Sequence, residues 1–487
     1  MTLTPAQQRP IRAAATLVAV VASFVTVYAF CKSASAQPGP AILSAILAIS
    51  LSRREGPTHG ARILVTPFVI AGTALVASGV GWLLLTRPLV GASVFVAGVT
   101  ASIWLRNFGE RARSAGALIA LPFVGMLVAP ARADAPGGVV VDIALVLCAG
   151  VVSFAYVTAV QWFVARADIL PSAKRTKPAP PRLNQNPSLS PATRMALQMA
   201  VALSAAFVAG FAVFPAHWGW TVLTAFIVIS GARGRGDAAH KAVLRLIGAV
   251  TGTLAAGVLT HVQMPGGAAE AALIFTALFF GLWLRDVNYA YWAGAMTLVL
   301  ALLSRPAGAI DLALLGIRLE AIFVGALCGV AAAWFVLPIR TEAVIRRRLA
   351  DALAALDEIV DDAPISATER ADRLETFEHR LTELDLVAPP VRLHRRIFAR
   401  GDVSAHPASW IDLALRLRHR ARVLGSPESL HHEHRASVRR AIRTSRRAIA
   451  DHAKREAPAG ARTIGGAMQE LHDALDFRHA TDGEKRD

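Results

Sequence analysis

Twelve apolar runs separated by short polar gaps constrain this chain more than any other feature. They bracket roughly as 13–30, 40–51, 63–86, 90–105, 116–129 and 139–165. After a polar stretch come 195–214, 218–231, 244–261, 268–284, 289–303 and 312–338. Most extend to the ~20 residues that a helix needs to cross ~30 Å of hydrocarbon. Open strands are excluded in lipid, where their edge groups stay unpaired. Hydrophobic residues make up 54% of the 487 and charged residues 17%, with a mean hydropathy of +0.46. A row of soluble domains does not have that composition. The chain reads as an all-α integral membrane protein with a soluble tail.

The net charge of +17 is distributed unevenly. Residues 1–339 hold 24 Lys and Arg against 10 Asp and Glu, whereas residues 340–487 hold 27 against 24. The excess therefore lies in the gaps of the apolar part, as in a membrane protein, and not over a folded nucleic-acid-binding surface. With a cytoplasmic N-terminus, the inside gaps carry Arg9, Arg12, Arg53, Arg54, Arg106, Arg111, Arg113, Arg233, Arg235, Lys241 and Arg285. The outside gaps carry only Lys32, Arg87, Arg132 and Arg305. This asymmetry puts the N-terminus, the middle linker and the tail in the cytoplasm. The run Ala13–Phe30 is too long for the core of a signal peptide and is kept as the first span. Cys31, Cys148 and Cys328 stand alone, with neither a disulfide framework nor zinc spacing.

The chain also repeats itself. Gly39–Ser50 lies over Gly219–Ser230 at an offset of 180, and Trp104-Leu-Arg-Asn over Trp283-Leu-Arg-Asp at 179. Val141-Asp-Ile-Ala-Leu and Trp162-Phe-Val find counterparts at Ile310-Asp-Leu-Ala-Leu and Trp334-Phe-Val. Six spans per half is an even number, so the halves enter the membrane in the same direction, as parallel repeats about an axis along its normal. The expected organisation is a first six-helix repeat over 1–165, a basic cytoplasmic linker over 166–193, a second six-helix repeat over 194–338 and a cytoplasmic α-helical domain over 339–487. The second helix of each repeat, Pro40–Ser52 and Trp218–Gly231, is too short for the bilayer. Paired short segments of this kind mark transporter binding sites, here beside the central axis.

The run His217-Trp-Gly-Trp-Thr-Val-Leu-Thr-Ala-Phe-Ile-Val-Ile-Ser230 resembles the fusaric acid resistance family, the aromatic acid exporter group of bacterial inner-membrane proteins. The likeness continues through Gly231-Ala-Arg-Gly-Arg-Gly, Arg245-Leu-Ile-Gly-Ala-Val-Thr-Gly252 and the series Asp311, Arg318, Gly325. It is best over 194–338 and reaches through the repeat to about 12–165, where Pro40 stands in place of Trp220. A more distant likeness is to the plant aluminium-activated malate channels. The resemblance implies a multi-pass protein of the bacterial inner membrane that exports small aromatic carboxylates.

Candidate path residues follow from charge and position. Arg245 is read at the cytoplasmic start of its helix, as an anion-attracting cation or as a snorkelling residue behind packing glycines, with Arg62 as its echo in the first repeat. Asp311, Arg318 and Glu320 lie in or beside the last span, where ionisable groups line a path or pair with one another. The expectation is an Arg318–Glu320 pair that exchanges with a substrate carboxylate and couples it to a proton. Trp218, Trp220 and Tyr289 can stack on an aromatic acid or belong to the interfacial belt. Thr221 and Thr224 can donate hydrogen bonds to a ligand or to a neighbouring helix, and Arg285 closes the second Trp-Leu-Arg motif. The tail reads as amphipathic helices over 342–361, 367–386, 408–424, 428–456 and 463–478, with the basic run Arg435–Arg447 facing lipid headgroups or solvent.

No nucleophile elbow, phosphate-binding glycine loop or metal motif is present, so neither catalysis nor a cofactor is expected. The leading reading is a secondary exporter of small organic, chiefly aromatic, carboxylates, driven by the proton gradient or by the anion's own gradient, that works in the lipid bilayer, alone or as a homo-oligomer. A passive organic-anion channel and a non-transporting scaffold for the tail are the alternatives.

Overall fold

The computed structural model describes residues 5–53, 62–128, 138–167, 189–259, 267–303, 312–361, 366–398, 406–424, 432–454 and 463–475. Twelve helices carry the apolar runs: α1 (Pro5–Ser33), α2 (Gly39–Leu51), α3 (Arg62–Thr86), α4 (Pro88–Trp104), α5 (Glu110–Val128), α6 (Gly138–Arg166), α7 (Pro191–Val213), α8 (Trp218–Ile229), α9 (Arg235–Leu259), α10 (Ala268–Leu284), α11 (Tyr289–Leu303) and α12 (Leu312–Phe335). Among the described residues, seven are long and apolar enough to cross a membrane, and five are apolar but shorter, α2 and α8 among them. This makes the chain a multi-pass helical membrane protein. Helices α1 and α9 begin well before their expected bounds, α1 at Pro5; the second matters more. It starts at Arg235 and not near residue 244, because Asp237, His240 and Lys241 form a polar first stretch on an otherwise apolar helix. Most of the linker expected at 166–193 lies outside the described residues.

The chain divides into two compact units. The first gathers α1–α8, α9 from Lys241 onward, and α10–α12. The second gathers Ala232–His240 with the chain from Pro338.

In the first unit, α1, α2 and α6 pack on one another, as do α7, α8 and α12, which hold the same places in the second half. Between halves, α4 meets α7 and α1 meets α10, while α5 meets α8. Leu47 of α2 shares an apolar cluster with Trp292 and Met296 of α11. The α4–α7 contact thus recurs as α1–α10 with the halves exchanged. Small residues permit the closest approaches. A Cβ on Gly329 of α12 would stand 2.9 Å from Val228 Cγ1 of α8, and one on Gly252 of α9 would stand 2.8 Å from Thr297 Cβ of α11.

The end of α12 has an unusual stop. Leu337 takes a left-handed φ of 46°, a conformation costing a residue with a Cβ about 1–2 kcal/mol. Gln198 of α7, itself buried, donates Nε2 to the Val336 and Leu337 carbonyls at 2.9 and 3.4 Å. Gln198→Leu is expected to cost about 1–3 kcal/mol by stranding these carbonyls. Leu337→Gly is expected to recover part of that loss, measured by denaturant titration of the double variant.

The second unit is built from α13 (Thr341–Ile359), α14 (Ala367–Asp385), α15 (Ala388–Phe398), α16 (Pro407–Leu424), α17 (His432–Lys454) and α18 (Ile464–Ala474). Ile345, Leu349, Leu353 and Leu356 recur at helical spacing along α13 and join Phe377, Leu381, Trp410, Ile411, Ile442 and Met468 in one core. The start of α9 belongs here: Arg235 N donates to the Ile339 carbonyl at 3.1 Å and Gly236 N to Thr341 Oγ1 at 3.1 Å. Helix α15 was not expected, because Pro389 and Pro390 read as a break. Both fall in its first turn, where a missing N–H costs nothing. In the basic run, Arg439 and Arg446 turn toward Asp357 of α13, and Arg439 also meets Asp361 at 3.1 Å. Arg440, Arg443 and Arg447 remain exposed.

His406 controls the start of α16. Its Nδ1 accepts from the Ala408 amide at 3.1 Å, which requires a ring unprotonated at that nitrogen. Burial, with His394 and Arg395 beside it, pulls its pKa below the usual histidine range. A depressed histidine contributes stability above ~6.5, its ordinary value, and loses it as the pH falls through the lower folded value. Amide exchange at Ala408 is therefore expected to quicken on acidification. In His406→Asn, which keeps a capping acceptor without titrating, that acid response is expected to vanish.

Candidate anion site

Arg318 lies in the second turn of α12, two turns before Gly325, and faces α8, a helix only 12 residues long. Gly325 and Gly329 bring α12 so close to α8 that the side chains of the two helices interleave. The Arg318 guanidinium consequently sits over the Trp220 indole, 5.2 Å from its centroid. His217 stacks on the same indole at 4.7 Å. Arg318 is 3% exposed and Arg245 4%, and the two lie close enough for their charges to repel. Among the described residues, Nε of each has no hydrogen-bond partner, and no ion pair joins either to a carboxylate. Thr221 and Thr224, both fully buried in α8, have hydroxyls without a partner among the described residues.

The energetics of this cluster are lopsided. A cation over indole gains about 0.5–2 kcal/mol, whereas an unpaired charge away from water costs several. Two like charges side by side raise that cost. An anion entering between them would supply acceptors for guanidinium and hydroxyl donors and cancel the repulsion. Trp220 adds an apolar aromatic wall. The group whose chemistry would satisfy such a cluster is an oxyanion.

Other expected residues fall elsewhere. Arg245 is ten residues into α9, about 15 Å from its start at 1.5 Å per residue, and not at the mouth of the helix. Glu320 is exposed, because two residues turn a helix by about 200°. It shares its face with exposed Ile317, Phe323 and Leu327. The expected Arg318–Glu320 pair is thus not formed, and no proton exchange through it is available. Trp218 packs between Phe207 and Phe211, 5.5 Å from each, and serves the α7–α8 contact. Arg285, the residue after α10, and Tyr289, the first of α11, gather around Trp292 and not around Trp220. Asp311 and the side chain of Arg62 lie outside the described residues. His217 was overlooked as a site residue. Its only sequence signal was its place three residues before Trp220.

A buried pair of arginines without a carboxylate thus stands inside a bundle of apolar helices. Residues 200–332 match the family described as fusaric acid resistance protein-like, which bears out the resemblance read at Trp218–Ser230 and Arg245–Gly252. Every residue of the pocket falls inside that stretch. The chain is also 35% identical over 127 residues to the uncharacterized protein YhfK of Escherichia coli (strain K12), an alignment covering 26% of this chain and 18% of that protein. The chain thus spans less than a fifth of the length of this relative.

Proposed function

We propose that the protein is a secondary exporter of small organic, chiefly aromatic, carboxylates, and that Arg245 and Arg318 with Trp220, Thr221 and Thr224 hold the anion in transit. The observation that carries this reading is the buried arginine pair without a carboxylate. A purely structural role would leave both cations uncompensated. The exchange symmetry of the helix contacts supports twelve spans arranged as two parallel six-helix repeats, with α2 and α8 flanking the shared axis. The Lys and Arg asymmetry supports a bacterial inner-membrane protein with its N-terminus, linker and tail in the cytoplasm.

A passive anion channel is the second reading, favoured by the distance of Glu320 from the pocket. Reconstituted full-length protein loaded with benzoate tests both. An exporter coupled to protons shows efflux that responds to an imposed pH gradient beyond the effect on benzoate ionisation; a channel shows flux that does not. No protein-dependent benzoate flux under either condition refutes both readings.

A further inference from the structure

A second group of cations stands on different helices. Arg53 follows α2 in the chain, and its guanidinium lies 5.8 Å from the centroid of the Trp292 ring. Arg285 follows α10, and its guanidinium lies 6.0 Å from the same ring. Their charges lie close enough to repel, with Tyr289 also near Arg53. The acid at hand is Asp286, whose Oδ1 is 3.6 Å from Arg285 Nε with a side chain 53% exposed. One half-solvated carboxylate leaves the group with an excess positive charge. Arg285 Nη1 is buried and has no hydrogen-bond partner among the described residues. The indole attracts both cations through its face but accepts no hydrogen bond from them.

We propose that Arg53, Arg285 and Trp292 form a second oxyanion site, which takes a carboxylate or phosphate group between the two guanidiniums. Planar guanidinium forks suit either group, since each oxyanion offers paired acceptors. With both cations already over Trp292, the site selects the charged group and not an aromatic body. Arg53 comes from the first half of the chain and Arg285 and Trp292 from the second, so a bound oxyanion bridges the halves. The Arg245–Arg318 pocket, by contrast, lies wholly within the second half. Two sources supply this chemistry: a soluble small anion and the phosphate of an acidic phospholipid. The proposal stands whether or not Arg318 handles a transported substrate.

Thermal unfolding of the full-length protein tests it, with inorganic phosphate and benzoate as soluble probes at constant ionic strength. Phosphatidylglycerol nanodiscs compared with phosphatidylcholine nanodiscs form the lipid arm. The expected result is a raised midpoint with at least one probe. Arg285→Gln is expected to need about tenfold more of that probe for the same shift, a loss equivalent to one charge-assisted contact. Arg285→Lys, which keeps the charge but not the planar fork, is expected to fall between. Stabilisation by phosphatidylglycerol alone identifies the lipid as the source, and stabilisation by phosphate or benzoate identifies a soluble anion. The proposal is overturned if no probe stabilises the wild type, or if Arg53→Gln and Arg285→Gln respond as the wild type does. If benzoate is the sole probe that protects, and its protection is lost only in Arg318→Gln, the proposal is likewise overturned, while the transport reading stays in place.

Discussion

Arg318→Gln is expected to lower benzoate flux by about 10- to 150-fold, the equivalent of the ~1.5–3 kcal/mol carried by a hydrogen bond to a charged group. The same change is expected to leave the folded protein as stable as before, or more so. Removing one of two buried like charges relieves the repulsion on Arg245, and glutamine retains a polar end for the Trp220 face. A structural arginine would behave in the opposite way, losing stability in step with activity. Measuring flux per folded molecule alongside the unfolding midpoint separates the two. Parallel loss of both quantities would show that Arg318 holds the bundle together and does not serve an anion.

Gly325→Ala is expected to be among the most damaging small substitutions in the apolar unit. An added Cβ would overlap the Thr221 carbonyl and stand 3.0 Å from Thr224 Cβ. Backbone cannot swing aside as a side chain can, so α12 and α8 must separate. The cost is expected to exceed the ~1–3 kcal/mol typical of overpacking. Gly316→Ala on the same helix meets nothing within 4 Å and is expected to be neutral or to gain up to ~1 kcal/mol of helix propensity. The pair is a matched comparison, read by detergent-resistant folding and by benzoate flux. Equal behaviour of the two variants would show that α8 and α12 are free to part without loss.

What could be read from the chain and what could not divides along physical lines. Apolar length and periodicity located nearly every helix, because burial in lipid or in a core imposes those patterns locally. They failed at the start of α9, where Asp237, His240 and Lys241 resembled a loop, and at α15, where two prolines concealed a first turn. The pocket was only half legible. Arg245, Arg318, Trp220, Thr221 and Thr224 were each visible as polar or aromatic residues in apolar surroundings. Their assembly was not, since Trp220 and Arg318 are far apart in sequence and meet only through the α8–α12 contact. Glu320 was the avoidable error: a spacing of two places it nearly opposite Arg318 on any helix.

The shortness of α2 and α8 has an electrical consequence. At 13 and 12 residues they are about 20 and 18 Å long, and on the transport path proposed above an anion moving past them would cross a thinner insulating layer than the ~30 Å bilayer. The voltage across a cell membrane then falls over a shorter distance, and the local field is steeper. A monovalent anion leaving an interior held 100 mV negative gains about 2.3 kcal/mol, which corresponds to about a fiftyfold concentration ratio. With Glu320 turned away from the arginines, that electrical drop can keep a carboxylate acid scarce inside the cell without the movement of a single proton.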